Sequence, residues 1–377
     1  MEYGLTEEQE MIRNLARDFA RNEIAPAANI YDRTAEFPHD ILSKVREVGL
    51  INLCIPEEYG GNDLTPIERI LVTEELAWGC TGITVAITVI NSLAAEPILL
   101  AGTNEQKKRY LGMLSEGLGS YCVTEPNAGS DMASISTRAR RVGRGFELDG
   151  QKTWISNAHE ASFFVVFART DSEAGHQGIS AFIVDRELPG VEVSKKLPKM
   201  GQRACDCCEV IFKRVELPPE ALLGQEGDGF KLAMRVFDSS RPIIGALGVG
   251  LSQRALDESL RFAKGREAFG QSILGFQGVG FKIAEMAMRT QASRLLTYHA
   301  AYKNAIGQRN TLEASYAKTF ASDTAMWAAT EAVQIHGGYG YSEEYPVEKL
   351  MRDAKVLQIY EGTNEIQRVI MVRELSK

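Results

Sequence analysis

The spacing of apolar and polar positions divides the 377-residue chain into three parts. Up to about residue 118, apolar residues recur every three or four positions, as in segments 38–48 and 67–76, which predicts amphipathic helices. Thr6, followed by acidic residues and Gln9, predicts the N-terminal cap of the first helix. We therefore expect a helical domain over residues 1–118.

The pattern changes to short apolar runs bounded by glycine, proline and charged residues between residues 119 and 228. Such runs predict β-strands, and they cover residues 163–168, 178–184 and 208–212. Asp149-Gly150 lies between two further runs and predicts the turn of a hairpin. We therefore expect a β domain over residues 119–228.

Helical spacing returns from residue 229 to residue 377. Its long segments are residues 230–264, 276–306 and 312–334. They are long enough to form the helices of a bundle, and their many alanines and glycines allow close packing. The predicted fold class is α+β, with helices, then strands, then helices.

Composition narrows the class of protein. The chain is 44% hydrophobic and 24% charged, as in ordinary globular proteins. Its net charge of −8 and the lack of a basic block argue against nucleic acid as a partner. We found no uninterrupted apolar stretch of about 18 residues, and expect no membrane insertion. The N-terminus does not resemble a signal peptide, which predicts a cytoplasmic protein, or a mature mitochondrial matrix form in a eukaryote.

Cysteine and histidine spacing does not predict a metal site. Cys205, Cys207 and Cys208 lie together, but no second cysteine or histidine pair follows at the distance typical of zinc ligands. The histidines are scattered along the chain. We expect reduced thiols and no bound metal.

The segment with the most informative chemistry is Ile359-Tyr-Glu-Gly-Thr-Asn364. Glu361 precedes Gly362 at a predicted break between two helices, where Thr363 or Asn364 can cap the second one. Its apolar neighbours would desolvate the carboxylate, raise its pKa and suit it to general-base catalysis. The alternative is that Glu361 is only a charge at the N-terminus of the last helix, favoured by the helix dipole.

This segment resembles the catalytic segment of the acyl-CoA dehydrogenase family, most closely its short- and medium-chain members. Four further segments resemble the family's cofactor segments, in the same order along the chain. They are Thr124-Glu-Pro-Asn-Ala-Gly-Ser-Asp131, Lys152-Thr-Trp-Ile-Ser-Asn157, Arg266-Glu-Ala-Phe-Gly270 and Gln334-Ile-His-Gly-Gly338. The resemblance covers the whole chain and implies a barrel-like middle domain and a C-terminal four-helix bundle.

The resemblance implies FAD as the cofactor, bound where the β domain meets the C-terminal helices. Arg266 and Phe269 match positions that reach the FAD of a neighbouring subunit, with Arg266 pairing its pyrophosphate. Trp154 and Ser156 match positions beside the flavin ring. The full set of implied cofactor residues is Tyr121, Val123, Thr124, Gly129, Ser130, Trp154, Ser156, Arg266, Phe269, Gln334, Gly337, Gly338 and Thr363.

The resemblance also implies the reaction and the partners. Glu361 would remove the α-proton of an acyl-CoA while flavin N5 accepts the β-hydrogen as hydride, which gives a trans-2-enoyl-CoA. The implied substrate-binding residues are Ser130, Asp238, Arg241, Tyr360 and Gly362. Electrons would pass to an electron-transfer flavoprotein, and the chain would form a homotetramer built as a dimer of dimers. Some family members carry their base just before the arginine that matches Arg241, where this chain has Ser240.

The resemblance also bears on the substrate. Between Thr84 and Ser92, on the segment implied to line the acyl pocket, there is no arginine or lysine to pair a distal carboxylate. Val89 stands where medium-chain members have an acidic residue, and Glu96 is expected to face solvent or to cap a helix before Pro97. We therefore expect an apolar acyl chain rather than a dicarboxylic one.

Two alternatives remain open at this point. One is an enzyme of the same fold with another electron partner, either an oxidase or a reductase that forms the saturated acyl-CoA. The other is a non-catalytic helical module that binds acyl-CoA or another protein.

Overall fold

The computed structural model describes residues 4–377. Helices form its first part, and Thr6 caps the first of them in a capping box with Gln9, as the sequence predicts. Their bounds are α1 Glu7–Phe19, α2 Ala25–Thr34, α3 His39–Glu47, α4 Pro66–Gly79, α5 Thr81–Thr84, α6 Ile90–Ala101 and α7 Asn104–Gln106. π-Helical turns at Ala20–Ile24 and Val85–Val89 join α1 to α2 and α5 to α6.

The continuous helix Thr81–Ala101 has the length and mean hydropathy, 1.8, of a membrane span. Threonine, asparagine and serine interrupt its apolar residues, so it is not an uninterrupted apolar stretch. In the structure 83% of this apolar window is buried, and α6 packs against a strand of the central sheet and a long C-terminal helix. This burial is what a core helix requires, and length with composition alone is weak evidence for a membrane segment.

Eight strands of the middle part form one sheet in the order β6-β7-β3-β2-β4-β5-β8, with β1 paired to β4. Their bounds are β1 Leu118–Cys122, β2 Arg138–Val142, β3 Gly145–Ser156, β4 Ala161–Arg169, β5 Ile179–Asp185, β6 Val191–Val193, β7 Cys207–Leu217 and β8 Leu222–Leu223. Side chains of β4 alternate between two cores, because Phe163 and Val165 face one and Phe164 and Val166 the other. One face of the sheet therefore packs on the helices and the other closes a core of its own.

The predicted hairpin turn at Asp149-Gly150 is wrong. These residues form a bulge inside the long strand β3, where the register with β7 shifts between Leu148 and Gly150. The turn lies earlier, after Val142, and contains Gly143 with a φ of 58°. The backbone N–H of Arg214 donates to the Asp149 carboxylate at 3.2 Å, so the aspartate stabilises the bulge instead of a turn.

The last part contains a short hairpin, β9 Glu267–Ala268 with β10 Gln271–Ser272, and five helices. The helices are α8 Gly229–Gly265, α9 Gln277–Ala305, α10 Thr311–His336, α11 Val347–Leu357 and α12 Asn364–Leu375. Helix α8 packs on α4, α9 and α10, and Gly248 allows this because an added Cβ would lie 2.9 Å from the backbone of Ala321. The predicted domain limits at residues 118/119 and 228/229 stay a prediction.

Candidate active site

Glu361 lies in the turn between α11 and α12, in the left-handed region of φ. Its φ is 58° and that of Gly362 is 86°, and Thr363 caps α12 by accepting from the N–H of Ile366. A non-glycine residue in this conformation costs about 1–2 kcal/mol. A strained residue of this kind persists only where the surroundings fix it, and such positions cluster at functional sites.

Three side chains fix the turn through its carbonyl oxygens. Gln367 Nε2 donates to the carbonyl of Glu361 at 3.0 Å and to that of Gly362 at 3.1 Å. Lys318 Nζ donates to the carbonyl of Gly362 at 2.9 Å, and Arg241 Nε donates to that of Glu361 at 3.3 Å. The N–H of Glu361 makes no hydrogen bond to any of the residues that the structure describes. The backbone of the turn is thus held from one side and has a free donor.

The carboxylate of Glu361 has one hydrogen-bond partner, the hydroxyl of Ser240, which donates to Oε2 at 2.6 Å. Burial raises the pKa of Glu361, while the Ser240 hydrogen bond and the charges of Arg241 and Lys318 lower it and only partly offset that burial. A carboxylate with a raised pKa, held in one position, has the properties of a general base near neutral pH.

Lys318 was not found by sequence reasoning. Its side chain is fully buried on α10, and its ammonium also donates to Asn364 Oδ1 at 2.8 Å. Burial lowers the pKa of Lys318 to about 7, although the nearby Glu361 raises it. The available signal was its position on a stripe of small residues, since Ala314, Ala317 and Ala321 are buried around it.

Asp238 and Arg241, both predicted to bind substrate, form an ion pair on α8 with 3.5 Å between Oδ1 and Nη1. Thr311 donates to the other carboxylate oxygen of Asp238 at 2.6 Å. Burial raises the pKa of Asp238, which Thr311 and Arg241 partly oppose. Because Arg241 also contacts the turn of Glu361, this pair connects α8 to the candidate base.

The predicted residues Tyr121 and Tyr360 bring two phenols to the same region. The hydroxyl of Tyr121 is buried without a partner among the described residues, and burial together with the charge of Glu361 raises its pKa well above the usual value. Tyr360 accepts a hydrogen bond from Gln202 Nε2 at 3.4 Å. Both tyrosines therefore remain neutral beside the glutamate.

The first two predicted flavin segments are adjacent in the structure. The N–H of Thr153 donates to the carbonyl of Thr124 at 2.9 Å, which joins the loop after β1 to strand β3. Trp154 has a φ of 59° and is 59% exposed, an unusual conformation and exposure for an indole. Close by are the buried Val123, the exposed Gly129 and Ser130, and the half-buried Ser156. An exposed indole with the hydroxyl groups of Ser130 and Ser156 close by fits a planar aromatic ring system such as a flavin.

A buried ion pair that sequence reasoning missed anchors this loop. Lys152 Nζ lies 2.7 Å from Glu125 Oε1, and Glu125 also accepts from the N–H groups of Ser136 and Thr137. Burial alone would raise the pKa of Glu125, but Lys152 and these hydrogen bonds outweigh it and lower the pKa to about 2. Both residues lie inside the motifs that predicted the flavin segments, where only their neighbours were assigned a role.

The remaining predicted cofactor residues form a separate group. Arg266 lies over the ring of Tyr339 at 5.7 Å, in the segment that follows Gly337 and Gly338. Phe269 is 96% exposed with a φ of 51°, and Gln334 is exposed as well. No hydrogen bond joins this group to the turn of Glu361 within residues 4–377. A guanidinium without a hydrogen bond among the described residues and an almost fully exposed ring fit contacts made with another subunit.

The predicted position of Glu96 is wrong. Glu96 lies inside α6, its side chain is only 15% exposed, and it pairs with Arg69 of α4 at 3.3 Å. It therefore neither faces solvent nor caps a helix, and Pro97 is also inside α6. Arg69 is a basic residue in this region that the sequence of segment 84–92 does not reveal, because it comes from another helix.

No cluster of three or more potential metal ligands occurs in the described part of the chain. The cysteines there are free thiols. Burial raises the pKa of Cys207 and of Cys208 to about 12, so both stay protonated at neutral pH.

Three domains of one family match successive parts of the chain. They are the N-terminal domain of acyl-CoA dehydrogenase over residues 6–117, the middle domain over 120–215 and the C-terminal domain over 227–376. An acyl-CoA dehydrogenase of Bacillus subtilis is 45% identical over 98% of both chains. A 3-(aryl)acrylate reductase of Clostridium sporogenes is 40% identical over 99% of both.

Solved structures of similar proteins point to the same family. Butyryl-CoA dehydrogenase from Megasphaera elsdenii matches with a TM-score of 0.97 and 39% identity over the whole of both chains. A chain in the structure of the electron transferring flavoprotein of Acidaminococcus fermentans matches with a TM-score of 0.97 and 42% identity, over 100% of this chain and 99% of that one. The chain belongs to the acyl-CoA dehydrogenase family. It is a flavin-dependent oxidoreductase, and its cofactor is FAD. A solved FAD complex matches over 100% of this chain and 99% of that one, with a TM-score of 0.96 and 27% identity.

Proposed function

We propose that Glu361 is the general base that removes the α-proton of an acyl-CoA thioester and that the product is a trans-2-enoyl-CoA. The observation that carries this proposal is the half-buried carboxylate of Glu361 at a strained turn, with a single hydrogen bond from Ser240 and a pKa that desolvation raises. When bound, FAD accepts the β-hydrogen with its electron pair at N5. The α-proton goes to the carboxylate of Glu361.

The unpartnered N–H of Glu361 supports a second role for the same turn. As the proton leaves, negative charge develops on the thioester oxygen, and a donor held in position there stabilises it. The carbonyl oxygens of the turn accept hydrogen bonds from Gln367, Arg241 and Lys318. These bonds fix the backbone of the turn, and with it the direction of the Glu361 N–H. We assign Arg241 and Asp238, which pair on α8 beside the same turn, to binding of the CoA moiety.

The substitution Glu361→Gln tests the base. It keeps the shape of the side chain and an acceptor for Ser240, but the amide cannot take a proton. We expect the variant to purify with FAD and to bind acyl-CoA. The rate of anaerobic flavin bleaching at saturating acyl-CoA should fall about 10²- to 10⁴-fold. Glu365→Gln, at an exposed glutamate in the first turn of α12, is the matched control and should bleach as the wild type does.

We propose an electron-transfer flavoprotein as the electron acceptor. The support is the match to a chain in the structure of such a flavoprotein. The assembly we propose is a homotetramer built as a dimer of dimers, as the resemblance to the family implies. Its support is that Phe269 is 96% exposed and that the Arg266 side chain makes no hydrogen bond among residues 4–377. Reduction of purified electron-transfer flavoprotein by acyl-CoA, and the mass of the particle in solution, test these two proposals.

The reductase direction is a second candidate, favoured by the 40% identical relative named 3-(aryl)acrylate reductase. In that direction Glu361 would return the proton to the α-carbon of an enoyl substrate. Anaerobic oxidation of the reduced enzyme by an enoyl-CoA or an aryl acrylate, compared with reduction of the oxidised enzyme by the saturated acyl-CoA, decides which direction is faster.

A further inference from the structure

A small, partly open cavity lies between α4, α6 and α8. Its volume is about 10 Å³, room for roughly one water molecule or one oxygen atom. The residues that line it are Arg69, Val89, Ser92, Leu93, Glu96, Ser240 and Ile243. Three of them are apolar, and Arg69 and Glu96 bring a guanidinium and a carboxylate to its wall.

The guanidinium of Arg69 has an unused donor. The side chain is 9% exposed and its Nη2 pairs with Glu96 at 3.3 Å, but Nε is buried without a partner among residues 4–377. Buried polar groups in proteins almost always have a hydrogen-bond partner, and those that lack one call for an explanation. A ligand atom in the cavity would supply the missing acceptor.

The cavity adjoins the candidate base. Ser240 lines it and also donates to the Glu361 carboxylate at 2.6 Å. Ile243 follows on the same helix, roughly 4.5 Å further along the axis. An acyl chain whose α-carbon lies at Glu361 would therefore reach the cavity after a few carbon atoms.

Among the polar groups beside the cavity, Arg69 is the one with a donor available to a ligand atom. Ser92 donates its hydroxyl proton to the carbonyl of Thr88 at 3.2 Å. Burial raises the pKa of the Cys54 thiol to about 11, with Arg69 lowering it and Glu96 raising it, so that Cys54 is a neutral thiol beside the pair. Among residues 4–377, the charged side chains that line the cavity are Arg69 and Glu96, and they neutralise each other.

We propose that Arg69 and Glu96 make this cavity a polar end of the acyl pocket, which selects a short acyl-CoA whose distal end carries an uncharged oxygen acceptor. This inference rests on the proposed function and specifies its substrate class. A methyl group in the cavity would leave Nε of Arg69 buried and unpaired. A distal carboxylate would be placed beside Glu96, and two like charges in a buried site repel strongly. A hydroxyl, ether or keto oxygen avoids both penalties.

The test compares acyl chains of equal length. In 4-hydroxybutanoyl-CoA a hydroxyl group replaces the terminal methyl of pentanoyl-CoA. In glutaryl-CoA a carboxylate replaces the same methyl. We expect the holoenzyme to be reduced by 4-hydroxybutanoyl-CoA with a kcat/KM about ten- to a hundredfold above that for pentanoyl-CoA, as expected for one added hydrogen bond to a charged group. Glutaryl-CoA should be the poorest of the three.

Two variants assign the effect to the pair. Arg69→Met combined with Glu96→Leu removes both charges together, because replacing a buried pair with apolar residues is usually tolerated whereas removing one partner is not. In this double variant we expect the preference to invert in favour of pentanoyl-CoA. Glu96→Gln keeps an acceptor for Arg69 and leaves its charge uncompensated, so that kcat/KM for glutaryl-CoA should rise about tenfold relative to pentanoyl-CoA. FAD content and the thermal midpoint show that each variant is folded.

The outcomes separate this inference from the proposed function. If pentanoyl-CoA reduces the enzyme at least as well as 4-hydroxybutanoyl-CoA, the polar end is wrong and the acyl-CoA dehydrogenase reaction stands. A ratio that is unchanged in the double variant has the same meaning. If no acyl-CoA of any kind reduces the flavin, both are wrong. Binding of the same three esters to Glu361→Gln, followed by the flavin spectrum, reports the preference without the chemical step.

Discussion

The ammonium of Lys318 and the carbonyl oxygen of Gly362 are 2.9 Å apart, and this hydrogen bond connects the interior of α10 to the turn that carries Glu361. Lys318 is fully buried, so below its pKa of about 7 its charge acts on the Glu361 carboxylate with little screening by water. The lysine therefore has two effects, since it fixes the backbone of the turn and it lowers a pKa that burial raises.

Replacement of Lys318 should change the pH dependence of flavin reduction. A base acts in its deprotonated form, so the rate falls as pH decreases through the pKa of Glu361. Because Lys318 lowers that pKa, Lys318→Met should move the acidic limb of the rate profile to higher pH. Anaerobic bleaching measured between pH 5 and pH 9 gives the profile. Lys355→Met, at an exposed lysine of α11, is the control and should leave it unchanged.

A purely structural role for Lys318 would give another result. Loss of the hydrogen bond alone would lower the free energy of unfolding and the rate at every pH, without a shift of the acidic limb. Such a result would contradict the electrostatic role.

The ion pair of Glu125 and Lys152 should determine the stability of the loop that we assign to the flavin. Removal of one partner leaves the other charge buried and unpaired, so Glu125→Gln should lower the free energy of unfolding by about 3 kcal/mol. The exposed pair of Glu192 and Lys213 provides a control, and Glu192→Gln should cost less than about 1 kcal/mol. Denaturant unfolding of the holoenzyme measures both.

The same ion pair should make the stability of the folded protein depend on pH in the acid range. The pKa of Glu125 is about 2 in the folded chain and near 4.5 in the unfolded one. Its stabilising contribution is therefore complete above about pH 4.5 and is lost as the pH falls through about 2. In Glu125→Gln this part of the acid denaturation should be absent, and a wild-type pH dependence in the variant would show that Lys152 does not hold Glu125 ionised.

The helices were largely predictable from the sequence, and the sheet only in part. Helical spacing in α8, α9 and α10 persists over many turns, so the pattern identifies each helix even where single residues depart from it. Short strands such as Val191–Val193 carry too few residues for a pattern. Asp149-Gly150 has the composition of a turn, and only its contact with Arg214 in another strand makes it a bulge. Long-range pairing of this kind does not appear in a local pattern.

The candidate site shows the same limit. Glu361 could be predicted because its motif is local, with glycine and a helix cap beside it. Lys318 and Arg69 could not, since a charged residue in a helix is normally expected to face solvent. Their burial results from the packing of α10 and α4 against other helices, and the partners that make burial tolerable, Gly362 and Glu96, are distant in sequence.

Arg266 should link cofactor retention to assembly. Its side chain makes no hydrogen bond in the described part of its own subunit and only lies over Tyr339. If it pairs the pyrophosphate of a neighbour's FAD, Arg266→Ala should lower the FAD content of the purified protein and raise the Kd for FAD about tenfold or more. Lys264→Ala, at an exposed residue nearby, is the control. A monomeric wild type that retains FAD normally would contradict the proposed role.

The geometry of Ser240 allows the base to be moved to another residue. The hydroxyl of Ser240 lies 2.6 Å from the Glu361 carboxylate, so we expect a glutamate at position 240 to bring its own carboxylate close to the place of that of Glu361. Glu361→Gly removes the base and suits a backbone with φ of 58°, since glycine adopts that region without strain. We expect Glu361→Gly to lose about 10²- to 10⁴-fold in bleaching rate, and the added Ser240→Glu to recover at least about tenfold.

The matched control for this experiment is Glu361→Gly with Ser240→Gln, which has the same shape at position 240 and no base. Only the glutamate should restore the rate, and its acidic limb should report a new pKa. Equal rates with glutamate and glutamine would mean that the restored activity comes from packing, and a wild-type rate in Glu361→Gly alone would move the base to another carboxylate. Asp238 would be tested first, because burial raises its pKa and it pairs with Arg241 beside the same turn.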